Sequence, residues 1–349
     1  MPFTATRAPP HGLSLFSCSS SSRALSLLPE SVLVRYGNCH SVVGDRRLRL
    51  IALPSRPLPA ASHAIGSFAG TSSSIVSKTS SPSFMGESGL LIVGPGVLGK
   101  LVAEKWLKDY PGSHIFGQTM TTEHHDELVK LGIKPSLKGK SDGEYSNIIF
   151  CAPPSRTADY PADVRLAISN WSGKGSFLFT SSTAVYDCND EALCDEDYPV
   201  VPLGRSPRTD VLLKAENAVL DAGGCVLRLA GLYNADRGAH FYYLKKGTVD
   251  IHPDGILNLI HYEDAASLAI AIMKKKLRSR IFLGCDNDPM SRGELMDCVN
   301  QSGKFSERFQ GFTGNSDKQT KRTNNSKTRA EIGWEPKYSR FSDFLQHVT

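Results

Sequence analysis

Three glycines at fixed spacing, in the run Gly94-Pro95-Gly96-Val97-Leu98-Gly99, are the residues of this chain that most directly imply a chemistry. They follow the apolar run at residues 90–93 and open an amphipathic stretch at residues 98–108, which is the order strand, turn, helix. In that context the first glycine permits a tight turn. Gly96 lets the backbone approach a pyrophosphate with no Cβ in the way, and Gly99 lets the helix pack against the strand. The unbonded N–H groups and the dipole at the helix start then face the phosphates. The six residues from Gly94 to Gly99 are therefore expected to hold a nicotinamide dinucleotide, NAD or NADP.

The second strand bears on which of the two is held. An acid near its end would bond the adenosine ribose of NAD, but the chain reads Gly117-Gln118-Thr119-Met120-Thr121-Thr122, with no carboxylate before Glu123. The repulsion that would exclude a 2′-phosphate is absent, and the threonine hydroxyls are available as donors. The reading leans to NADP, with Gln118 and Thr119 as contacts. No Arg in this stretch completes a 2′-phosphate site. His124 and His125 read as solvated imidazoles, and no metal site is expected.

The elements that must position these groups alternate. Strands are expected at 90–93, 114–116, 147–151, 176–180 and 225–229, separated by helices at 98–108, 125–131, 158–170 and 210–221. The strands are nearly continuous in apolar residues, as in a parallel sheet covered on both faces. The expected fold is α/β, a doubly wound parallel sheet of Rossmann type. Beyond about residue 230 the pattern loosens into a small C-terminal lobe on the substrate side. A helix is expected at 264–276, with Asp264 as its N-cap and a basic C-terminal end, followed by a polar segment at 303–327.

Residues 1–86 differ in kind from the rest. They carry two acids, Glu30 and Asp45, against eight Lys and Arg, with many serines. That is the composition of an organelle transit peptide, and it lacks the apolar span of about 20 residues that a membrane helix needs. Its serine content points to the plastid, with the mitochondrion as the alternative. Residues 87–349 retain a net charge of about −1, against +5 for the whole chain. Nothing global then favours a nucleic-acid or membrane surface. None of the six cysteines in this part forms a C-x-x-C pair, so no zinc ribbon or thioredoxin-like motif is indicated. Cys225 reads as a core thiol, and Cys188 and Cys194 as solvated loop residues.

The run Phe179-Thr180-Ser181-Ser182-Thr183-Ala184-Val185-Tyr186 resembles the strand-end serine motif of the extended short-chain dehydrogenases, which include nucleotide-sugar epimerases and dehydratases. Leu227-Arg228-Leu229-Ala230-Gly231-Leu232-Tyr233, Ile260-His261-Tyr262-Glu263-Asp264-Ala265-Ala266 and Gly333-Trp334-Glu335-Pro336 resemble later motifs of that family in the right order. The resemblance implies that Ser182 orients a substrate oxygen and that Cys151, Ala152 and Pro153 line the cofactor. It also implies a Tyr and a Lys four residues apart on the following helix, and that helix contains no tyrosine. Anchoring on Lys214 puts Asp210 at the tyrosine position. Anchoring on Glu216, the preferred alignment, puts Arg208 and Leu212 at the Tyr and Lys positions and makes Lys214 a surface residue. Either way the usual proton relay is missing, a combination that is similar to an atypical branch of the family. Arg208 remains a candidate for a ligand phosphate or carboxylate; Tyr233, Arg237 and His240 lie where the family's substrate region begins, and Tyr233 or His240 is a candidate for a replacement acid or base. Two functions follow as expectations. One is an oxidoreductase or epimerase-like enzyme acting on a small or nucleotide-linked substrate with a non-standard proton donor. The other is a non-catalytic NAD(P)-binding module acting through a protein partner.

Overall fold

The computed structural model describes residues 87–140, 143–188, 193–315, 318 and 320–348, so the segment at 1–86, expected to be a transit peptide, lies outside the described residues. Seven strands form one sheet: β1 (Leu90–Val93), β2 (Ile115–Thr119), β3 (Ile133–Leu137), β4 (Asn147–Phe150), β5 (Phe177–Ser182), β6 (Cys225–Leu229) and β7 (Ile281–Gly284). Their spatial order is β7-β6-β5-β4-β1-β2-β3, and every pairing is parallel. This is the doubly wound Rossmann-type order, which reverses direction between β1 and β4.

Alternation along the strands sends side chains to two separate cores. Leu90, Ile92, Ile149, Leu178 and Leu227 pack on one face with Val102 and Trp106 of α1 (Val97–Asp109) and with Leu268 and Ile272 of α6 (Tyr262–Lys275). Leu91, Ile148, Phe150, Phe177, Phe179 and Val226 pack on the other with α3 (Tyr160–Ser169) and α4 (Pro207–Asp221). A sheet buried on both faces has no solvent-facing positions to fill with polar residues, which is why its strands read as continuous apolar runs.

Two of the seven strands lie outside the sequence expectation. In β3, Pro135 and the polar Lys134 and Ser136 mask the strand pattern. The strand is at the sheet edge, where a missing ladder donor is tolerated. The other, β7, is a four-residue run in a region that reads as loosened. It closes the opposite edge, so the chain beyond residue 230 returns to the main sheet, and α6 packs on α1. The remaining C-terminal elements build a third core around Tyr233, Leu295, Phe309, Phe341 and Phe344. It includes α5 (Ala239–Lys246), α7 (Arg292–Ser302) and the short helix Phe341–Leu345.

Helix boundaries follow their caps. α4 begins a turn before the expected start because the Ser206 hydroxyl accepts the Thr209 N–H and Pro207 occupies the first turn. The cap of α6 is His261, whose Nδ1 accepts the Glu263 N–H, and not Asp264. The Asp264 carboxylate instead accepts the N–H groups of Lys337 and Tyr338 at 2.7 and 3.0 Å, tying the Gly333–Pro336 region to the helix start. Cys225 is buried as expected, and Cys194 is also buried rather than solvated.

A buried ion pair joins α4 to the sheet. Glu216, 1% exposed, accepts from Arg228 Nη2 at 2.8 Å, and Ser181 Oγ donates to it at 2.5 Å. The Arg228 guanidinium lies over the Tyr186 ring, 4.8 Å from its centroid. Removing one partner leaves a buried charge without compensation. The variant Glu216→Ala is expected to lose about 3–5 kcal/mol of stability, read by urea unfolding of the full chain.

Candidate cofactor and substrate site

The turn after β1 shows three glycines in three different environments. Gly94 has φ +80°, and a Cβ there would lie 2.6 Å from the Ala152 backbone. A Cβ at Gly99 would meet Ile92 Cγ2 at 2.9 Å. At Gly96 a Cβ would meet nothing within 4 Å, and the residue is exposed. Two glycines are therefore required by packing. The third keeps open the space in front of the α1 N-terminus, where no side chain caps the first N–H groups. Gly117, which the sequence places only at the start of the ribose stretch, is a fourth: its Cβ would meet Ile133 Cγ2 at 2.8 Å and Pro95 Cγ at 3.2 Å. Its only sequence signal is a glycine inside a strand.

The turn is bonded to both neighbouring strands. The Gly94 N–H donates to the Gln118 carbonyl at 2.9 Å, and the Cys151 N–H donates to the Val93 carbonyl at 2.8 Å. The residues expected to line the cofactor, Gly94 to Gly99, Gln118, Cys151 and Ala152, thus converge where the sheet order reverses. Val97 is half-buried, Pro95 and Leu98 are buried, and Pro153 is exposed at the mouth. The Ala152 carbonyl is fixed by the Tyr160 hydroxyl at 2.7 Å. Burial pushes the Cys151 thiol up to about 12, against a weaker opposing hydrogen bond from Thr180, so this residue is a wall and not a nucleophile. A dinucleotide fits this cradle: the open face at Gly96 and the uncapped helix start suit a pyrophosphate.

The ribose end is less open than the sequence suggests. The Thr119 hydroxyl donates to the Thr121 carbonyl at 2.8 Å and lies 2.7 Å from His125 Nε2, so it is already engaged within its own turn. His125 is thereby a partner of Thr119 rather than a solvated imidazole. Lys100, on the first full turn of α1, pairs with Glu127 of α2 (His125–Lys130). The lysine lowers the Glu127 pKa through that contact.

At the other end, Ser182 closes β5 and its Oγ accepts the Ala184 N–H at 3.1 Å, capping the turn Thr183–Val185. α4 packs on that turn. Leu212 and Glu216 are on its buried face and Lys214 is exposed, in agreement with the alignment anchored on Glu216. Asp210, the tyrosine-position residue of the other alignment, accepts the Gly204 N–H and orders the preceding loop. Arg208 is exposed on the first turn of α4 and makes no ion pair among the described residues. The site therefore has an aliphatic side chain where the resemblance implies a lysine.

Tyr233 and His240 are buried in the third core against Phe341, at centroid distances of 5.0 and 5.2 Å. Burial pushes the Tyr233 hydroxyl far up, and it lowers His240 and His261 to about 4. None of them is an accessible acid or base. Among the described residues no group of three or more His, Cys, Asp or Glu could hold a metal ion, and no helix is long and apolar enough to cross a membrane.

No family model matches the chain, and no curated protein is similar to it in sequence. Solved structures are similar in fold. One is dTDP-glucose 4,6-dehydratase from Bacillus anthracis in complex with NAD, at TM-score 0.63 and 14% identity, over 74% of this chain and 94% of that one. UDP-glucuronic acid 4-epimerase from Bacillus cereus, in complex with UDP-glucuronic acid and NAD, matches at 0.61 and 14%, over 74% and 97%. A conserved protein of unknown function from Silicibacter pomeroyi matches at 0.61 and 19%, over 74% and 97%. The fold is that of the nucleotide-sugar epimerases and dehydratases, with the glycine turn at its reversal point.

The buried histidines have a consequence for stability. A neutral imidazole with a folded pKa of about 4 and an unfolded one near 6.5 contributes stability that is present above pH 6.5 and is lost as pH falls towards 4. Asp286, pushed up to about 8 by burial, acts with the opposite sign between pH 4 and 8. The difference between variants isolates the histidine. The variant His240→Phe is expected to show a shallower fall in melting temperature than the unmodified protein between pH 6.5 and 4.5.

Proposed function

We propose that the chain binds a nicotinamide dinucleotide at the Gly94–Gly99 turn and acts as an oxidoreductase or epimerase-like enzyme on a small or nucleotide-linked carbonyl or alcohol. The observation that carries this reading is the contrast among the three glycines, because packing explains Gly94 and Gly99 but not Gly96. The lack of a carboxylate in the run from Gly117 to Thr122 supports NADP over NAD. The composition of residues 1–86 supports import into an organelle, the plastid before the mitochondrion.

When bound, the dinucleotide supplies or accepts a hydride. The chain's own contribution is to hold it and to place Ser182 beside the reacting carbon. The Ser182 hydroxyl accepts the Ala184 N–H and still has its own proton to donate to a substrate oxygen. A second reading, a non-catalytic dinucleotide-binding module acting through a protein partner, is favoured by Leu212 at the lysine position. It predicts binding without turnover, and steady oxidation of bound NADPH by a metabolite extract would exclude it.

The test separates packing from binding. The variant Gly96→Val is expected to keep the melting temperature of the full chain while weakening NADPH binding at least tenfold, about 1.4 kcal/mol, as read by fluorescence titration. The variant Gly94→Val meets the Ala152 backbone at a positive φ and is expected to lower the melting temperature. Unchanged NADPH affinity in Gly96→Val, or no NADPH or NADH binding by the unmodified protein, would overturn the reading.

A further inference from the structure

We propose that Lys321 is the acid–base group of this site, an ammonium brought from the C-terminal segment to the turn after Ser182, where it protonates the oxygen of a carbonyl substrate. The proposal rests on the dinucleotide reading for its hydride. Lys321 Nζ donates to the Thr183 carbonyl at 2.8 Å, and Ser182 Oγ accepts the Ala184 N–H of the same short turn. The two groups are thus fixed to one piece of backbone at the end of β5.

The segment that delivers the lysine is held on both sides. Asn258 Nδ2 donates to the Lys321 carbonyl at 2.9 Å, and Asn258 Oδ1 accepts the Thr323 N–H at 2.7 Å and the Thr323 hydroxyl at 3.0 Å. Arg322–Thr323 pairs in parallel with Leu193–Cys194. Three hydrogen bonds to Asn258 and the pairing with Leu193–Cys194 therefore fix the segment from which a long, flexible side chain projects. Such fixation lowers the entropy lost in holding an ammonium at one point.

Lys321 also differs from the ion-paired lysines of the fold. Lys100 pairs with Glu127, Lys138 with Asp163, Lys327 with Asp195 and Asp197, and Lys337 with Glu263. Lys321 makes no ion pair among the described residues, and the titratable groups facing it there are the Cys188 and Cys194 thiols. Burial, the largest influence, holds its pKa below the ordinary lysine value. A partly buried ammonium bonded to a neutral carbonyl and left without a carboxylate is costly for structure alone. That cost is the usual mark of a functional group. One N–H is engaged by Thr183, which leaves two for a ligand.

The chemistry balances with the reduced dinucleotide as co-reactant. Carbonyl reduction adds a hydride to carbon and leaves the electron pair of the broken C=O π bond on oxygen. A Lys321 N–H bond breaks, the new O–H bond forms, and nitrogen keeps its electron pair as a neutral amine that solvent water reprotonates. The reverse direction uses the neutral amine as base. This is the service that a Tyr and Lys on α4 would provide, and Arg208 and Leu212 do not.

The test uses the full chain and trinitrobenzenesulfonate, which reacts only with unprotonated amines, with modified peptides quantified by mass spectrometry. At pH 7.5 Lys321 is expected to react faster than the exposed Lys214, since a lowered pKa leaves more of the free amine. Saturating NADPH is expected to slow the reaction, whereas 2′,5′-ADP, which fills only the adenosine half, is not. The variant Lys321→Arg should remove the fast peptide and keep the melting temperature. Reaction of Lys321 at or below the rate of Lys214 overturns the proposal, as does an unchanged rate when NADPH fluorescence in the same sample reports binding. Failure of NADPH to bind overturns the dinucleotide reading separately, and the relative rates of Lys321 and Lys214 then decide the proposal.

Discussion

The constraint on which the site depends is the approach of the β1 turn to the end of β4. At Gly94 the backbone lies so near Ala152 that no side chain fits, and the flanking bonds Gly94 N–H to Gln118 and Cys151 N–H to Val93 pin the turn to both neighbours. The sheet order reverses here, and the helices leave on opposite faces, α1 to one core and α3 to the other. A crevice must open at such a point because successive connections diverge. The open face at Gly96 is the part of that crevice that packing leaves unfilled.

The two ends of the site are built by different means. The glycine end is local: strand, turn and helix are contiguous, and their roles follow from one short run of sequence. The serine end is assembled from distant segments. Ser181, Arg228 and Glu216 lock β5, β6 and α4 together, so the Ser182 turn stands on a buried charged network rather than on apolar packing alone. Lys321 reaches the same turn from a segment 138 residues further along the chain.

That division explains what the sequence reveals. The glycine turn, five of the seven strands, the helices of both faces and the outward orientation of Lys214 are legible because each depends on residues within one or two turns. β3 is hidden by Pro135 and its polar neighbours, and β7 by its shortness; both are edge strands that tertiary pairing stabilises. The role of Asp264 is misread because its partners, Lys337 and Tyr338, are remote. Lys321 sits in a stretch that reads as a polar loop, and only its long-range bonds to Thr183 and Asn258 single it out. Thr119 is a related case, a correctly placed hydroxyl already engaged by His125. Identities of 14–19% to proteins of the same fold show that this architecture tolerates extensive change in sequence.

The central claim is that the α1 N-terminus receives a pyrophosphate. Amide hydrogen exchange of the full chain, with and without saturating NADPH, tests it at the groups concerned. The account predicts slowed exchange in peptides covering Gly96 to Lys100 and the loop after Phe150, with little change in the third core around Phe341. Protection absent from the glycine turn, or confined to the C-terminal lobe, would contradict it.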